Sequence, residues 1–136
     1  MVVDTSAVLA ILLAEPEAAD YAQHIEADPT PLISAASVFE AGIVLISRHG
    51  SEARRDLRDF IAQGGLQIEP VTAAQVELAL DAYQHFGKGR HSAGLNFGDC
   101  FAYALAKTTD QPLLFKGNDF AQMDIARVHP RRSEET

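Results

Sequence analysis

Apolar residues come in short runs along the chain, and caps or turn formers separate the runs. Val2-Val3 ends at Asp4. Thr5 and Ser6 are good N-cap residues, and apolar helix formers run from Ala7 to Ala14. The pattern predicts a strand, a turn and a helix. Pro16 interrupts and suits the N1 position of a second helix running to about Glu26. After the loop Asp28-Pro29-Thr30-Pro31, Leu32-Ile33 reads as a short strand. Ser34 or Ser37 then caps a helix over Ala35 to Arg48. Phe39, Ile43 and Ile46 recur at i, i+4 and i+7, which predicts that they form its core stripe.

His49-Gly50 ends that helix. Another runs from Ser51 to about Gln63, with Leu57, Phe60 and Ile61 apolar, and Gly64-Gly65 stop it. Leu66-Gln67-Ile68-Glu69 alternates like a strand. Thr72 caps a helix through about Phe86 that carries Val76, Leu80 and Tyr83 on one face. Gly87 to Gly94 is a Gly-rich, basic stretch. Asn96 precedes a helix over about Gly98 to Thr108. Pro112-Leu113-Leu114-Phe115 reads as a strand, followed by the turn Lys116-Gly117-Asn118-Asp119 and a short strand that includes Val128.

Short strands alternating with helices predict an α/β protein with a parallel sheet. Ligands in such sheets bind at the carboxyl ends of the strands. Asp4 follows the first strand and Asp119 follows the Leu113-Phe115 strand, so both acids fall where that rule looks.

Length and composition narrow the class. The 136 residues suit one domain, predicted over 1–130 with a flexible tail over 131–136. A hydrophobic share of 47% with 22% charged residues is globular. Apolar runs are too short for a membrane span, and Asp4 argues against a signal peptide. The lone Cys100 excludes an intrachain disulfide and a two-cysteine zinc site. The expectation is a soluble, cytoplasmic protein. The formal charge of −8 does not suit a protein that grips nucleic acid through a broad basic surface. A nucleic-acid substrate would call for a bound divalent metal or a basic partner.

Two further acids change the picture. Glu40 stands among Val38, Phe39, Ala41, Gly42, Ile43 and Val44, so a helix there surrounds it with apolar side chains. A desolvated carboxylate must be paired, protonated or bound to a cation. Asp99 opens the helix that carries Phe97, Cys100, Phe101 and Tyr103, where an acid also favours the helix dipole. Asp4 is equally a helix cap and Asp119 an ordinary turn residue. Together, two acids from strand ends and two from neighbouring helices can converge on one pocket. Hard oxygen donors of this kind select Mg²⁺ or Mn²⁺, which suits phosphoryl chemistry.

Met1-Val2-Val3-Asp4-Thr5-Ser6-Ala7, Ser37-Val38-Phe39-Glu40, Asn96-Phe97-Gly98-Asp99-Cys100 and Leu114-Phe115-Lys116-Gly117-Asn118-Asp119-Phe120 resemble the acidic motifs of PIN-domain proteins, and most closely those of VapC toxins. The resemblance covers nearly the whole chain. It implies a three-layer α/β/α sandwich with a short-stranded parallel sheet. It implies a Mg²⁺- or Mn²⁺-dependent endoribonuclease with Asp4, Glu40, Asp99 and Asp119 as catalytic acids. Asp4, Asp99 and Asp119 would hold the metal. It further implies a homodimer and a VapB antitoxin that blocks the site, with an arginine of its C-terminal segment entering the pocket. Asn118 stands where relatives often carry a second acid. Leu9, Leu12 and Leu13 are apolar enough to supply a dimer contact or to belong to the core.

Around the acids, Thr5 and Ser6 either orient Asp4 or cap the helix. Asn96 either supports Asp99 or caps its helix. Lys88, Arg90 and His91 are candidate RNA-phosphate contacts on the Gly-rich stretch. Cys100 reads as a small core residue. Two other functions fit parts of the pattern. A receiver-like phospho-acceptor module would use Lys116 but leaves Glu40 and Asp99 unexplained. A catalytically inactive PIN scaffold would keep the fold and only bind.

Overall fold

Val2 and Val3 are both completely buried, and their side chains enter different cores. This is the two-residue period of a strand covered on both faces. In the computed structural model, which describes residues 1–87, 94–117, 120 and 123–128, they form β1 (Val2–Val3). The other strands are β2 (Leu32–Ser34), β3 (Gln67–Glu69) and β4 (Leu113–Leu114). The sheet is parallel, in the order β3-β2-β1-β4. Val2 stands opposite both Leu32 and Leu113, so the first strand is central. The strand expected at Val128 is reduced to one parallel bridge between Leu113 and Arg127.

The helices are α1 (Thr5–Leu12), α2 (Ala18–Ala27), α3 (Ala35–His49), α4 (Ala53–Gly64), α5 (Ala73–Phe86) and α6 (Phe97–Thr109). One core joins Val3, Ile33 and Leu114 to α1–α4 through Ala7, Tyr21, Ile25, Leu45 and Leu57. The other joins Val2, Leu113 and Phe115 to α5 and α6 through Ala82, Ala102 and Leu105. The result is the expected three-layer sandwich. Among the described residues, no helix is long and apolar enough to cross a membrane.

Several local expectations are corrected. Asp4 itself caps α1, which therefore begins at Thr5. The second helix opens at Ala18, because Ala14 takes a left-handed φ of 53° and Pro16 lies in the turn that follows. Ser34, not Ser37, caps α3. On α3 the expected core stripe faces solvent: Phe39 is 71% exposed and Ile43 53%. Ser37, Ala41 and Leu45 face inward instead. Small side chains let this helix lie close against its neighbours, and the bulky ones are left outside. The same inversion holds on α5. There Gln75, Ala79 and Ala82 are buried while Val76, Leu80 and Tyr83 are exposed. Leu9, Leu12 and Leu13 are half-buried against the first core.

Candidate active site at the carboxyl end of the sheet

The chain turns directly from β1 into α1 at Asp4. Its backbone N–H donates to the Leu114 carbonyl at 3.0 Å, which completes the ladder with β4. Its side chain is buried and accepts two hydrogen bonds at Oδ2, from the Ser6 N–H at 3.0 Å and the Ser6 hydroxyl at 2.6 Å. The Ser6 hydroxyl in turn accepts from the Lys116 N–H at 2.9 Å, just beyond β4. One side chain thus ties the end of the first strand to the end of the last. Of the expected supporting residues, Ser6 orients Asp4. Thr5 turns its hydroxyl to the Ser37 carbonyl at 3.2 Å and so fixes α1 to α3.

Burial pushes the Asp4 carboxyl up from 3.8 to about 6. The charge of Glu40 adds to the rise and the Ser6 hydrogen bonds oppose it. Glu40 is half-buried, less desolvated than its apolar sequence neighbours suggest, because Phe39 and Ile43 project away from the body of the protein. No ion pair reaches it among the described residues. Its carboxyl group lies on the Cα of Gly98, where any β-carbon would overlap it. Only glycine leaves the Glu40 carboxyl in this place.

Asp99 follows in the first turn of α6 and is buried. It forms a reciprocal capping box with Asn96. The Asp99 N–H donates to Asn96 Oδ1 at 2.9 Å, and the Asn96 N–H donates to Asp99 Oδ2 at 3.1 Å. Asn96 thus caps the helix and holds Asp99 at once, so the two roles left open by the sequence are one arrangement. Cys100 is buried, its thiol meets the Asn96 carbonyl, and burial with the nearby Asp99 charge pushes it up to about 11. It is an inert core thiol.

Helix α6 leads into β4, and α3 follows β2, so Asp99 and Glu40 come to the same sheet end as Asp4. Glu40 links the set: its charge acts on Asp4 and its carboxyl touches the residue before Asp99. Asp119 and Asn118 lie outside the described residues, as do Lys88, Arg90, His91 and the tail. Among the described residues, no three acidic, His or Cys side chains stand close enough to enclose a metal ion by themselves. The donor chemistry still fits a hard divalent cation. The described carboxylates offer oxygen only, and a buried Asp4 beside Glu40 is a repulsive pair that a cation would relieve. Lys116 does not serve this pocket. Its ammonium pairs with Glu15 and with Glu17, the latter at 3.2 Å. That geometry leaves the receiver-like reading without its lysine.

Residues 1–126 match the PIN domain profile. The chain belongs to the PIN-domain family. Ribonuclease VapC30 of Mycobacterium tuberculosis is 47% identical over 128 residues, which cover 94% of this chain and 98% of that protein. Ribonuclease VapC of Mycolicibacterium smegmatis is 47% identical over 129 residues, covering 95% and 100%. The fold matches the crystal structure of Mycobacterium tuberculosis VapC20, described as a sarcin-ricin loop cleaving toxin. The TM-score there is 0.76 at 20% identity, covering 95% of this chain and 98% of that one. A toxin–antitoxin complex from Klebsiella pneumoniae matches at a TM-score of 0.69, also at 20% identity, with 96% and 97% covered. Within the PIN-domain family the chain falls in the VapC group.

The tie that sequence reasoning missed is Ser6 to Lys116. The two residues lie 110 positions apart, and only the β1–β4 pairing brings them together.

Proposed function

We propose that this PIN-domain protein is the toxin of a type II toxin–antitoxin pair and a Mg²⁺- or Mn²⁺-dependent endoribonuclease. The observation that carries the proposal is the contact of Glu40 with Gly98, beside Asp99, on a carboxyl group whose charge also reaches buried Asp4. Relatives at 47% identity over almost their full length bear the name ribonuclease, which supports the same chemistry.

In this reading Asp4, Asp99 and Asp119 hold the metal, with Glu40 bound directly or through water. When bound, a divalent cation lowers the pKa of a water and offsets charge on the phosphodiester. The protein's own part is orientation and proton transfer. Ser6 fixes the Oδ2 oxygen of Asp4. The capping box fixes the Oδ2 oxygen of Asp99. Glu40 has no cationic partner among the described residues and takes the proton of the attacking water. The water oxygen bonds to phosphorus as the bond to the leaving ribose oxygen breaks, and that oxygen takes a proton from solvent water.

The partner in this proposal is a VapB-type antitoxin whose C-terminal arginine enters the acidic pocket, since a guanidinium matches a carboxylate bidentately. The net charge of −8 favours such a basic segment. A homodimer completes the proposal. Phe39, Ile43 and Ile46 on α3 supply exposed apolar area for protein contact, whereas Leu9, Leu12 and Leu13 are already used by the core.

Purified protein incubated with single-stranded RNA tests the enzyme. Cleavage is expected with Mg²⁺ or Mn²⁺, not with EDTA, and not with Asp4→Asn. An Asp4→Asn protein as active as the wild type would overturn the site, and a wild type inert with both metals would mark an inactive scaffold.

A further inference from the structure

Phe97 is the most exposed large hydrophobic side chain among the described residues, at 79%. It is also the residue between the cap Asn96 and Gly98, on whose Cα the Glu40 carboxyl rests. The core does not need this ring, yet the ring is held. It meets Phe101, one turn along α6, edge to face with centroids 5.0 Å apart and planes at 82°. A braced aromatic ring in solvent, on the helix turn that carries Asp99 and meets Glu40, can bind flat apolar surface without help from charge.

The groove beside it has matching chemistry. Between α5 and α6 it is lined by Leu80, Tyr83, Asn96, Phe97 and Phe101. Asn96 is exposed, and its Oδ1 is taken by the Asp99 N–H. Among the described residues nothing accepts from its amide nitrogen, which leaves a donor on a residue that lines the groove. An aromatic face with an amide donor at its edge is the pair that recognises an unpaired nucleobase, by stacking and by a hydrogen bond to the base edge. The groove adjoins the carboxylate site through Asn96, which lines the groove and holds Asp99.

We infer that Phe97 is a substrate-positioning residue: it stacks the base of a nucleotide flanking the scissile phosphate of single-stranded RNA, with the Asn96 amide at the base edge. The inference rests on the ribonuclease reading and specifies how an acidic protein holds an anionic substrate. Base stacking is indifferent to charge and tolerant of sequence, so it supplies affinity where the carboxylates repel.

The test compares the wild type with Phe97→Trp, Phe97→Leu and Phe97→Ala on an RNA oligonucleotide that the wild type cleaves. Phe97→Trp is expected to keep KM within about threefold, while Phe97→Leu and Phe97→Ala raise it about tenfold or more, with kcat changed far less. A 2-aminopurine placed beside the cleaved bond, read in an Asp99→Asn background to stop turnover, is expected to be quenched with Phe97 or Trp and not with Leu. Equal KM and equal quenching for Phe97→Leu would overturn the inference. So would a change of sedimentation mass in Phe97→Leu with RNA binding intact, which would assign the ring to contact with a second copy of the chain. If Phe97→Ala does not fold, the Leu and Trp variants decide alone. A wild type that cleaves no RNA fails at the first step and removes the ribonuclease reading itself.

Discussion

The carboxyl group of Glu40 rests on the Cα of Gly98, two helices meeting at a point with no room for a methyl group. The atom that would be displaced is the far end of a flexible side chain. Gly98→Ala is therefore expected to fold, since Ala is favoured over Gly in a helix by roughly 1 kcal/mol and offsets the crowding. Activity is expected to fall about tenfold or more, because a displacement of about 1 Å at a reacting group is costly. Thermal melts and RNA cleavage on one preparation check this. A fully active Gly98→Ala protein would show that the Glu40 position is incidental.

Asp99→Asn separates chemistry from folding. An Asn side chain still accepts the Asn96 N–H, so the capping box survives. RNA cleavage is expected to drop by on the order of a hundredfold or more, as for loss of a group that binds or positions a metal. Without metal the melting temperature is expected to hold or rise, because one negative charge leaves the helix turn that Glu40 touches. A normal rate would reduce Asp99 to a helix cap.

Protonation of Asp4 gives a pH signature in the metal-free protein. Its folded pKa of about 6 lies above the ordinary 3.8. A raised pKa means that the folded state binds the proton more tightly. The associated stability is complete below 3.8 and is lost as pH rises through about 6. The full difference corresponds to about 3 kcal/mol. In EDTA, Asp4→Asn is expected to stabilise the protein at about pH 8 relative to wild type, with most of the gain gone by about pH 4. Urea denaturation at the two pH values measures it, and a gain equal at both would remove Asp4 as its source.

Ser6→Ala removes a hydroxyl that donates to Asp4 and accepts from the Lys116 N–H. Both partners lose a bond in a partly buried place, so destabilisation of about 1–3 kcal/mol is expected. The Asp4 carboxyl is expected to titrate still higher, since that hydrogen bond holds it down. Carboxyl NMR titration and urea denaturation test the two effects separately.

The core of α3 can be tested the same way. Leu45→Ala is expected to cost about 2–5 kcal/mol, and Ile43→Gln to stay within about 0.5 kcal/mol. The opposite ranking would restore the stripe that the periodicity suggests.

That stripe shows where sequence reasoning ends. Alternating strands and helices were legible because Val2-Val3, Leu32-Ile33 and Leu113-Leu114 are each followed or preceded by strong cap and turn residues. Asp4, Glu40 and Asp99 stood out because each acid interrupts an apolar neighbourhood. Periodicity finds an apolar face on α3 but is blind to what covers it. Ser37 and Ala41 face inward because they are small, and nothing in the spacing of Phe39 and Ile43 says that they stay in water. The capping choice failed for a related reason: Asp4, Thr5 and Ser6 are all competent caps, and the contact of Thr5 with Ser37 depends on a helix 32 residues away.

The central position of β1 also bears on how the protein is made. Asp4 hydrogen-bonds Leu114, and Ser6 hydrogen-bonds Lys116, so the turn after β1 needs partners more than a hundred positions further along the chain. An emerging chain that already carries Asp4, Glu40 and Asp99 still has an open sheet edge beside β1 and no anchor for Ser6. Assembly of the acidic pocket is therefore postponed until β4 clears the ribosome.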